Sequence, residues 1–230
     1  MSQTPRQIMK SVLAREAPER FPTTASVFAV TSRKAGYTLE QYLNLEPEEQ
    51  ALFEYNAAKE YSSDFLSGGL SGTLVNEALG GNVNFRAHGS PDVTEPLIAN
   101  IADLDKIDIA RIRQYPRYQK ALASAKYLFE LGNGEYNNYL NTWGVFTMAA
   151  LFYGEANLMR ACIRDKPAVF ALLDFALEVF KFTQDEFVDA GVSIGACADP
   201  SSSGDMISKR VFEEFSAPYL LKTFDWYATI

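Results

Sequence analysis

Asp199 is the residue whose position most directly suggests chemistry. It ends a run of small, β-prone residues, 191–198, and precedes a hydroxyl-rich loop, 201–203, and a predicted amphipathic helix, 208–226. A carboxylate at the carboxyl end of a strand, in the loop before a helix, is where barrel enzymes hold their reacting groups. The alternative is an Asx turn leading into Pro200.

Other residue types that catalyse reactions or bind metals are few. His88, the single histidine, lies in a predicted loop without a second histidine or a cysteine at metal-ligand spacing, so neither a triad nor a zinc site is predicted. Cys162 and Cys197 form no C-x-x-C pair, and free thiols are expected. The loop hydroxyls, Ser203 among them, are expected to hydrogen-bond a ligand or to form a plain loop. No base lies nearby to make a serine nucleophilic.

Strand and helix patterns alternate along the chain and would position these residues. Strands are predicted at residues 24–30, 64–66, 136–142 and 192–198, with 83–85 as an edge strand or hairpin arm. Helices are predicted at residues 4–16, 46–61, 118–131, 166–189 and 208–226. The helix 166–189 has the clearest pattern, with Asp165 as its N-cap, Pro167 in its first turn and an apolar face opposite a charged one.

Composition excludes several classes of function. The chain has 230 residues, 47% of them hydrophobic, which suits a globular protein with a sizeable core. A net charge of −8 without a basic stripe disfavours nucleic-acid binding. The longest apolar run, residues 145–153, is too short to cross a bilayer, and the N-terminus lacks a signal-peptide apolar region. A cytoplasmic protein without a membrane partner is therefore expected.

The order of elements predicts the fold class. Strands alternating with helices indicate a parallel sheet covered by helices, and strand ends that carry Asp64, Thr142 and Asp199 favour a barrel over a doubly wound sheet. No dinucleotide-binding or Walker motif is present. About five or six βα units can be counted, fewer than a closed barrel needs. We therefore expect an α/β chain of the (β/α)8 TIM-barrel type, a single domain over residues 1–230, with the C-terminal part of the barrel missing.

Several motifs, in the same order along the chain, resemble the uroporphyrinogen decarboxylase superfamily, which includes the cobalamin-dependent methyltransferases. Residues 63–66 are similar to its S-D-I-L element, and residues 77–85 resemble the following A-x-G-x-x-V-x-F segment. Residues 143–149 resemble its G-P-F-T-L-A motif, with Val145 in place of proline. Residues 199–208 are most similar to the methyltransferase branch.

The resemblance implies methyl transfer rather than decarboxylation. The decarboxylases carry an R-Q-A-G-R-Y motif whose paired arginines hold substrate carboxylates, whereas residues 33–37 here keep only Arg33 and have Lys34 beside it. An ammonium group does not replace a bidentate guanidinium. The implied reaction is methyl transfer between a corrinoid and a thiol or a methylated small molecule. Decarboxylation of a tetrapyrrole remains the first alternative, and a non-catalytic truncated or split barrel that binds a partner remains the second.

The resemblance also implies site residues and partners. Asp64 and Asp199 are the expected catalytic residues. The decarboxylase residue that matches Asp64 stabilises a protonated pyrrole. The alternative role of Asp64 is to cap the turn at residues 67–69. Arg33, Trp143, Thr147 and Ser203 are the expected substrate contacts. The methyltransferases bind zinc through a His-x-Cys element and a later cysteine in strands beyond residue 230, so this chain alone is expected to hold no metal and no cofactor. The implied partners are a tetrapyrrole or corrinoid ligand, a corrinoid protein and further copies of the chain.

Overall fold

The computed structural model of the chain describes residues 2–25, 28–68, 73–86 and 90–229, and five strands lie in that part. They are β1 (Phe65–Gly68), β2 (Val83–Asn84), β3 (Asp92–Val93), β4 (Asn137–Trp143) and β5 (Ile194–Ala198). Strands β1, β4 and β5 form a parallel sheet in the order β1-β4-β5, and β2 pairs with β3 as a separate antiparallel hairpin. The predicted strand pattern at residues 83–85 is thus one arm of a hairpin.

Helices surround the parallel sheet. They are α1 (Pro5–Leu13), α2 (Phe28–Lys34), α3 (Leu39–Leu43), α4 (Pro47–Glu60), α5 (Leu74–Ala78), α6 (Pro116–Leu131), α7 (Val145–Tyr153), α8 (Glu155–Arg164), α9 (Lys166–Asp189), α10 (Lys209–Val211) and α11 (Ala217–Tyr227). A π-helical turn, Phe212–Ser216, joins α10 to α11, next to Pro218, which has no N–H for a regular helical hydrogen bond. Short 3-10 helices cover Ile101–Lys106, Ile109–Gln114 and Pro200–Ser202.

The two faces of the sheet have different surroundings. Parallel register pairs Gly68 with Leu140, and Leu140 with Gly195, so these residues share a face. On that face Leu66 and Leu140 are buried in the main core with residues of α4, α6 and α9. On the opposite face, Tyr139 and Ile194 are only half-buried. That second face corresponds to the interior of a barrel.

Helix α9 confirms the clearest sequence prediction. It spans Lys166–Asp189, and the Asp165 side chain accepts a hydrogen bond from the Ala168 N–H at 3.2 Å as its N-cap. The apolar stripe that includes Leu172, Leu173 and Phe180 is fully buried. The amphipathic period predicted this helix because one face meets the core and the other meets water.

The prediction of a strand at residues 24–30 is wrong. Helix α2 begins at Phe28, and residues 26–27 lie outside the described part. β-Branched residues such as Val30 and Thr31 carry only a weak preference, which tertiary packing overrides. The described parallel sheet therefore has three strands, fewer than the five or six units counted from the sequence, while the α/β class is confirmed. No described helix is long and apolar enough to cross a membrane.

Candidate functional site

Asp199 caps a helix that belongs to another βα unit. It follows the last residue of β5, and its Oδ1 accepts hydrogen bonds from the Thr147 backbone N–H at 2.7 Å and from Thr147 Oγ1 at 2.5 Å. Thr147 lies in the first turn of α7, where backbone N–H groups lack helical partners and the helix dipole is positive. The carboxylate therefore holds the start of α7 against the loop after β5.

The electrostatic environment of Asp199 contains two opposing effects. Burial raises the pKa of the carboxyl above its ordinary value, and hydrogen bonds from Thr147, Phe146 and Ser202 offset part of that rise. All three donors lie at the carboxyl end of the parallel sheet, in the first turn of α7 or the loop after β5. A carboxylate enclosed in this way is more rigid than one in a solvated loop.

Gly144 makes the close approach of these elements possible. It links β4 to α7, and its N–H donates to the Ala198 carbonyl at 2.7 Å. A Cβ atom at this position would lie 2.5 Å from Cγ of Asp199, closer than two carbon atoms can approach. Only glycine fits between the end of β4 and this carboxylate.

A hydrogen-bonded chain extends from Thr147 to α8. Thr147 Oγ1 accepts from the Ser201 N–H at 3.1 Å, and Ser201 Oγ donates to Glu155 Oε1 at 3.1 Å. Gly154 separates α7 from α8 and has a φ of +88°, a conformation that glycine adopts without strain. The network ties α7, α8 and the loop after β5 together.

A cavity of about 570 Å³ lies at this end of the sheet. Trp143, Thr147, Ala150, Leu151, Gly154 and Glu155 line it from β4, α7 and α8, and Pro200, Ser201 and Met206 line it from the loop after β5. The lining is completed by Thr73, at the start of α5, and by residues in or next to β3, namely Pro91, Asp92, Val93, Thr94 and Pro96. The volume suits a small organic ligand. The ionisable lining residues are Asp92 and Glu155, and this described lining contains no lysine or arginine.

Asp64 lies at the other end of the sheet. It immediately precedes β1, and its fully buried carboxylate accepts from Arg20 Nη1 at 2.7 Å and Nη2 at 2.5 Å and from the Thr23 N–H at 2.7 Å. Burial alone would raise the pKa of Asp64, but the hydrogen bonds from Arg20 and Thr23 and the charge of Arg20 outweigh it and lower that pKa. These contacts attach the N-terminal segment to the sheet, and the structure does not bring Asp64 together with Asp199.

The other predicted substrate contacts divide into two groups. Trp143 and Thr147 line the cavity. Arg33 lies in the last turn of α2, and its side chain is exposed. Ser203 is exposed and does not line the cavity, whereas the neighbouring Ser201 does. His88 and the glycine-rich residues 69–72 fall outside the described part of the chain.

Comparison with known proteins identifies the family. The model of the family described as uroporphyrinogen decarboxylase (URO-D) matches residues 4–229. This chain belongs to the uroporphyrinogen decarboxylase family. A search of curated proteins finds no match.

A solved structure, a methyltransferase from Methanosarcina mazei, matches this URO-D family chain with a TM-score of 0.84 and 21% sequence identity. The match covers 96% of this chain and 66% of that methyltransferase, so the chain spans less than two thirds of its length. The likeness confirms the predicted barrel-type fold, to which the described residues contribute three parallel strands.

The described part of this URO-D family chain offers no zinc ligand set. None of its His, Cys, Asp and Glu side chains forms a group of three or more that could hold a metal ion. Cys197 is half-buried, and burial, with a smaller effect of the Asp199 charge, raises its pKa to about 12, which disfavours the thiolate that zinc prefers. The described residues therefore do not fit the zinc of the methyltransferase branch.

Neither of the two ionisable lining residues of this URO-D family site was predicted from the sequence. Glu155 lies in the first turn of α8, a helix that the sequence analysis left out, and Asp92 lies in the short strand β3. Gly154 followed by an acidic residue is a helix-start signal that could have predicted α8. Asp92 carries no local signal, because a two-residue strand has too few residues to show a period.

Proposed function

We propose that this chain binds a methylated small molecule in the cavity and takes part in methyl transfer with a corrinoid. The location supports this, because ligands of barrel enzymes bind at the carboxyl ends of the strands. Family membership and the likeness to a methyltransferase fold support it further. The chain's own contribution is to bind and orient the molecule that gives or receives the methyl group.

The charge of the cavity is the observation that carries the proposal. A tetrapyrrole with many carboxylate side chains needs guanidinium or ammonium groups around it. The described lining has neither, and its two ionisable residues, Asp92 and Glu155, are acidic. The only arginine that resembles part of the decarboxylase motif, Arg33, lies outside the lining. A polycarboxylate substrate is therefore disfavoured in this cavity.

The residues at the cavity have separate proposed roles. Trp143 supplies an aromatic surface, and Ser201 and Glu155 supply polar groups. Thr147 and Asp199 are positioning residues, since their hydrogen bonds to each other hold the start of α7. In the transfer, the bond between the methyl carbon and its carrier atom breaks, the carrier keeps the electron pair, and the methyl carbon bonds to a nucleophilic acceptor. The corrinoid, on a separate protein, would be that acceptor in its reduced state.

The test is methyl transfer from a panel of N-, O- and S-methyl compounds to free cobalamin in its reduced state. The absorbance of the cobalamin, recorded under anaerobic conditions, measures the rate. We expect transfer from at least one compound, reduced about tenfold or more by Trp143→Leu. Glu178→Gln, on the exposed face of α9, is the control and should leave the rate unchanged. Decarboxylation of uroporphyrinogen, or no transfer from any compound, would overturn the proposal.

A further inference from the structure

We infer that the cavity takes a compact organic cation with N-methyl groups, of the methylated ammonium class. The inference rests on the proposed methyl transfer, because it assigns the substrate class of the same site. It is carried by three features of the cavity: the acidic lining, the neutralised helix starts and Trp143.

The acidic residues leave a negative charge without a protein partner. Asp92 is paired with Arg86. Glu155 accepts a hydrogen bond from Ser201 Oγ and forms no ion pair with any residue in the described segments. Since the described lining has no lysine or arginine, a bound cation would supply the missing positive charge, and a bound anion would face Glu155 without compensation.

The helix starts at the cavity do not reverse this preference. A helix N-terminus normally attracts an anion, because its first N–H groups lack helical partners and its dipole is positive. Asp199 already occupies the start of α7, where Thr147 donates to it. Helix α8 carries its own carboxylate, Glu155, in its first turn. The full charge of each carboxylate exceeds the roughly half charge of a helix end, so both helix starts are offset and Glu155 still leaves a negative remainder at the cavity.

Trp143 and the apolar lining suit methyl groups around a positive charge. Tryptophan is the side chain that binds cations most strongly through its aromatic face, and quaternary ammonium ligands are recognised in this way. Val93, Pro96, Leu151 and Pro200 add apolar surface to the cavity. A quaternary ammonium ion has no N–H group, so it places no hydrogen-bond donor without an acceptor against this apolar surface.

The chemistry of such a ligand agrees with methyl transfer. When the bond between a methyl carbon and a positively charged nitrogen breaks, the nitrogen keeps the electron pair and becomes a neutral amine. The methyl carbon bonds to the nucleophilic acceptor of the proposed function. At neutral pH the released amine takes up a proton from water, so the product carries an N–H donor that the apolar lining leaves without a partner, and it should bind less tightly than the quaternary ion.

The test is calorimetric titration of the chain with tetramethylammonium, with pivalate as the anion of similar shape and tert-butanol as the neutral one. We expect tetramethylammonium to bind at least about tenfold more tightly than either. Trp143→Leu and Glu155→Gln should each weaken its binding by about tenfold, and Trp143→Phe, which keeps an aromatic ring, should weaken it less. Glu178→Gln removes the same charge from an exposed face of α9 and should change nothing.

Equal or tighter binding of pivalate, no binding of tetramethylammonium, or binding that neither cavity variant alters would overturn the inference. The two proposals fail in different ways. If tetramethylammonium does not bind while a methyl ether still donates its methyl group to cobalamin, the cation is wrong and methyl transfer stands. If tetramethylammonium binds at Trp143 and Glu155 but no compound donates a methyl group, the binding site stands and methyl transfer is wrong.

Discussion

Asp64 and Asp199 are both carboxylates next to strands of one parallel sheet, and they differ in which end of the sheet they occupy. Asp199 follows β5 and adjoins the cavity through Thr147, which donates to it and lines the cavity. Asp64 precedes β1 and pairs with Arg20. Because parallel strands present all their carboxyl ends at one edge, Asp199 lies at the edge that holds the cavity and Asp64 lies at the opposite edge.

Asp64→Asn should lower the free energy of unfolding by about 2 kcal/mol at neutral pH. This loss of stability is smaller than that expected for a fully buried ion pair. The Arg20 side chain is 47% exposed, so water can solvate its guanidinium once the carboxylate is gone. The pKa of Asp64 is lowered from its ordinary value of 3.8, so the ionised carboxylate stabilises the fold at any pH above 3.8. This stabilisation is lost as the pH falls below 3.8 and the carboxylate takes up a proton. The Asp64→Asn variant, which has no carboxylate there, should therefore lose less stability in acid than the wild type. Urea unfolding at several pH values measures both effects.

The control for Asp64→Asn is Asp103→Asn. Asp103 pairs with Lys106 on the surface, where that lysine side chain is 78% exposed. Removing it should change stability by less than about 0.5 kcal/mol. Equal effects of the two substitutions would contradict the anchoring role of Asp64.

The sequence analysis grouped Asp64 with Asp199, Thr147 and Trp143 as candidate site residues, whereas the structure places Asp64 at the other end of the sheet. The reason is the length of β1, which has four residues. A run this short does not show whether an adjacent aspartate precedes or follows the strand, because the alternation of side chains is the same in both cases. Asp199 was easier to place, since a longer small-residue run precedes it and a hydroxyl-rich loop follows it.

The junction of β4, α7 and β5 depends on a single small residue, Gly144. We expect Gly144→Ala to lower the free energy of unfolding by about 1–3 kcal/mol, because its new methyl group would overlap the Asp199 side chain. Ligand binding in the cavity should weaken as well, since Asp199 and Thr147 would have to move. Thermal unfolding and calorimetric titration measure the two effects.

Gly204→Ala is the matched control for Gly144→Ala. A Cβ at Gly204 would have no heavy atom within 4 Å. The substitution should leave both stability and binding unchanged within about 0.5 kcal/mol. If Gly144→Ala behaved in the same way, the close packing of α7 on the loop after β5 would not be required.

The packing of α3 on α4 encloses a half-buried carboxyl, Glu54. Tyr42 is fully buried, and its hydroxyl donates to Glu54 Oε1 at 2.6 Å. Burial raises the pKa of Glu54 to about 7, although the hydrogen bond from Tyr42 acts in the opposite direction. The native state therefore binds more protons than the unfolded chain between the ordinary value of 4.5 and about 7.

Stability should consequently fall as the pH rises through that interval, by on the order of 2 kcal/mol. Glu54→Gln should remove most of this dependence, because an amide does not titrate. Glu49→Gln, on the exposed side of the same helix, should keep it. Urea midpoints across the interval measure the slope, and the same slope in wild type and Glu54→Gln would contradict the prediction.

The elements that the sequence predicted best are the long helices with clear end signals. Helices α4, α6 and α9 lie close to their predicted ranges, because Pro47 begins α4, Gly132 ends α6, and Asp165 caps the amphipathic α9. Helices α3 and α5, with five residues each, were not predicted, since they are too short to repeat a pattern. The predicted strand at residues 24–30 overlaps α2, where packing overrides local preference.

The molecule as a whole combines a well-packed outer layer with a less enclosed inner sheet face. The main core lies between the sheet and helices such as α6, α7 and α9. On the other face, Phe65 and Tyr139 contact each other at 5.7 Å between ring centres and stay half-buried. The cavity lies at the carboxyl end of this sheet, next to Trp143. The central claim is that this cavity binds the small molecule on which the chain acts.

The two tryptophans allow the most direct test of that claim. Trp143 lines the cavity, whereas Trp226 packs against Phe180 of α9 with ring centres 6.0 Å apart. In a nitrogen-15 spectrum the chain should give two indole N–H signals, assigned with Trp226→Phe. Titration with tetramethylammonium and the wider panel of methylated compounds should move the Trp143 signal in a saturable way and leave the Trp226 signal in place. A saturable shift of the Trp226 signal alone, or of neither signal with any compound, would contradict the claim.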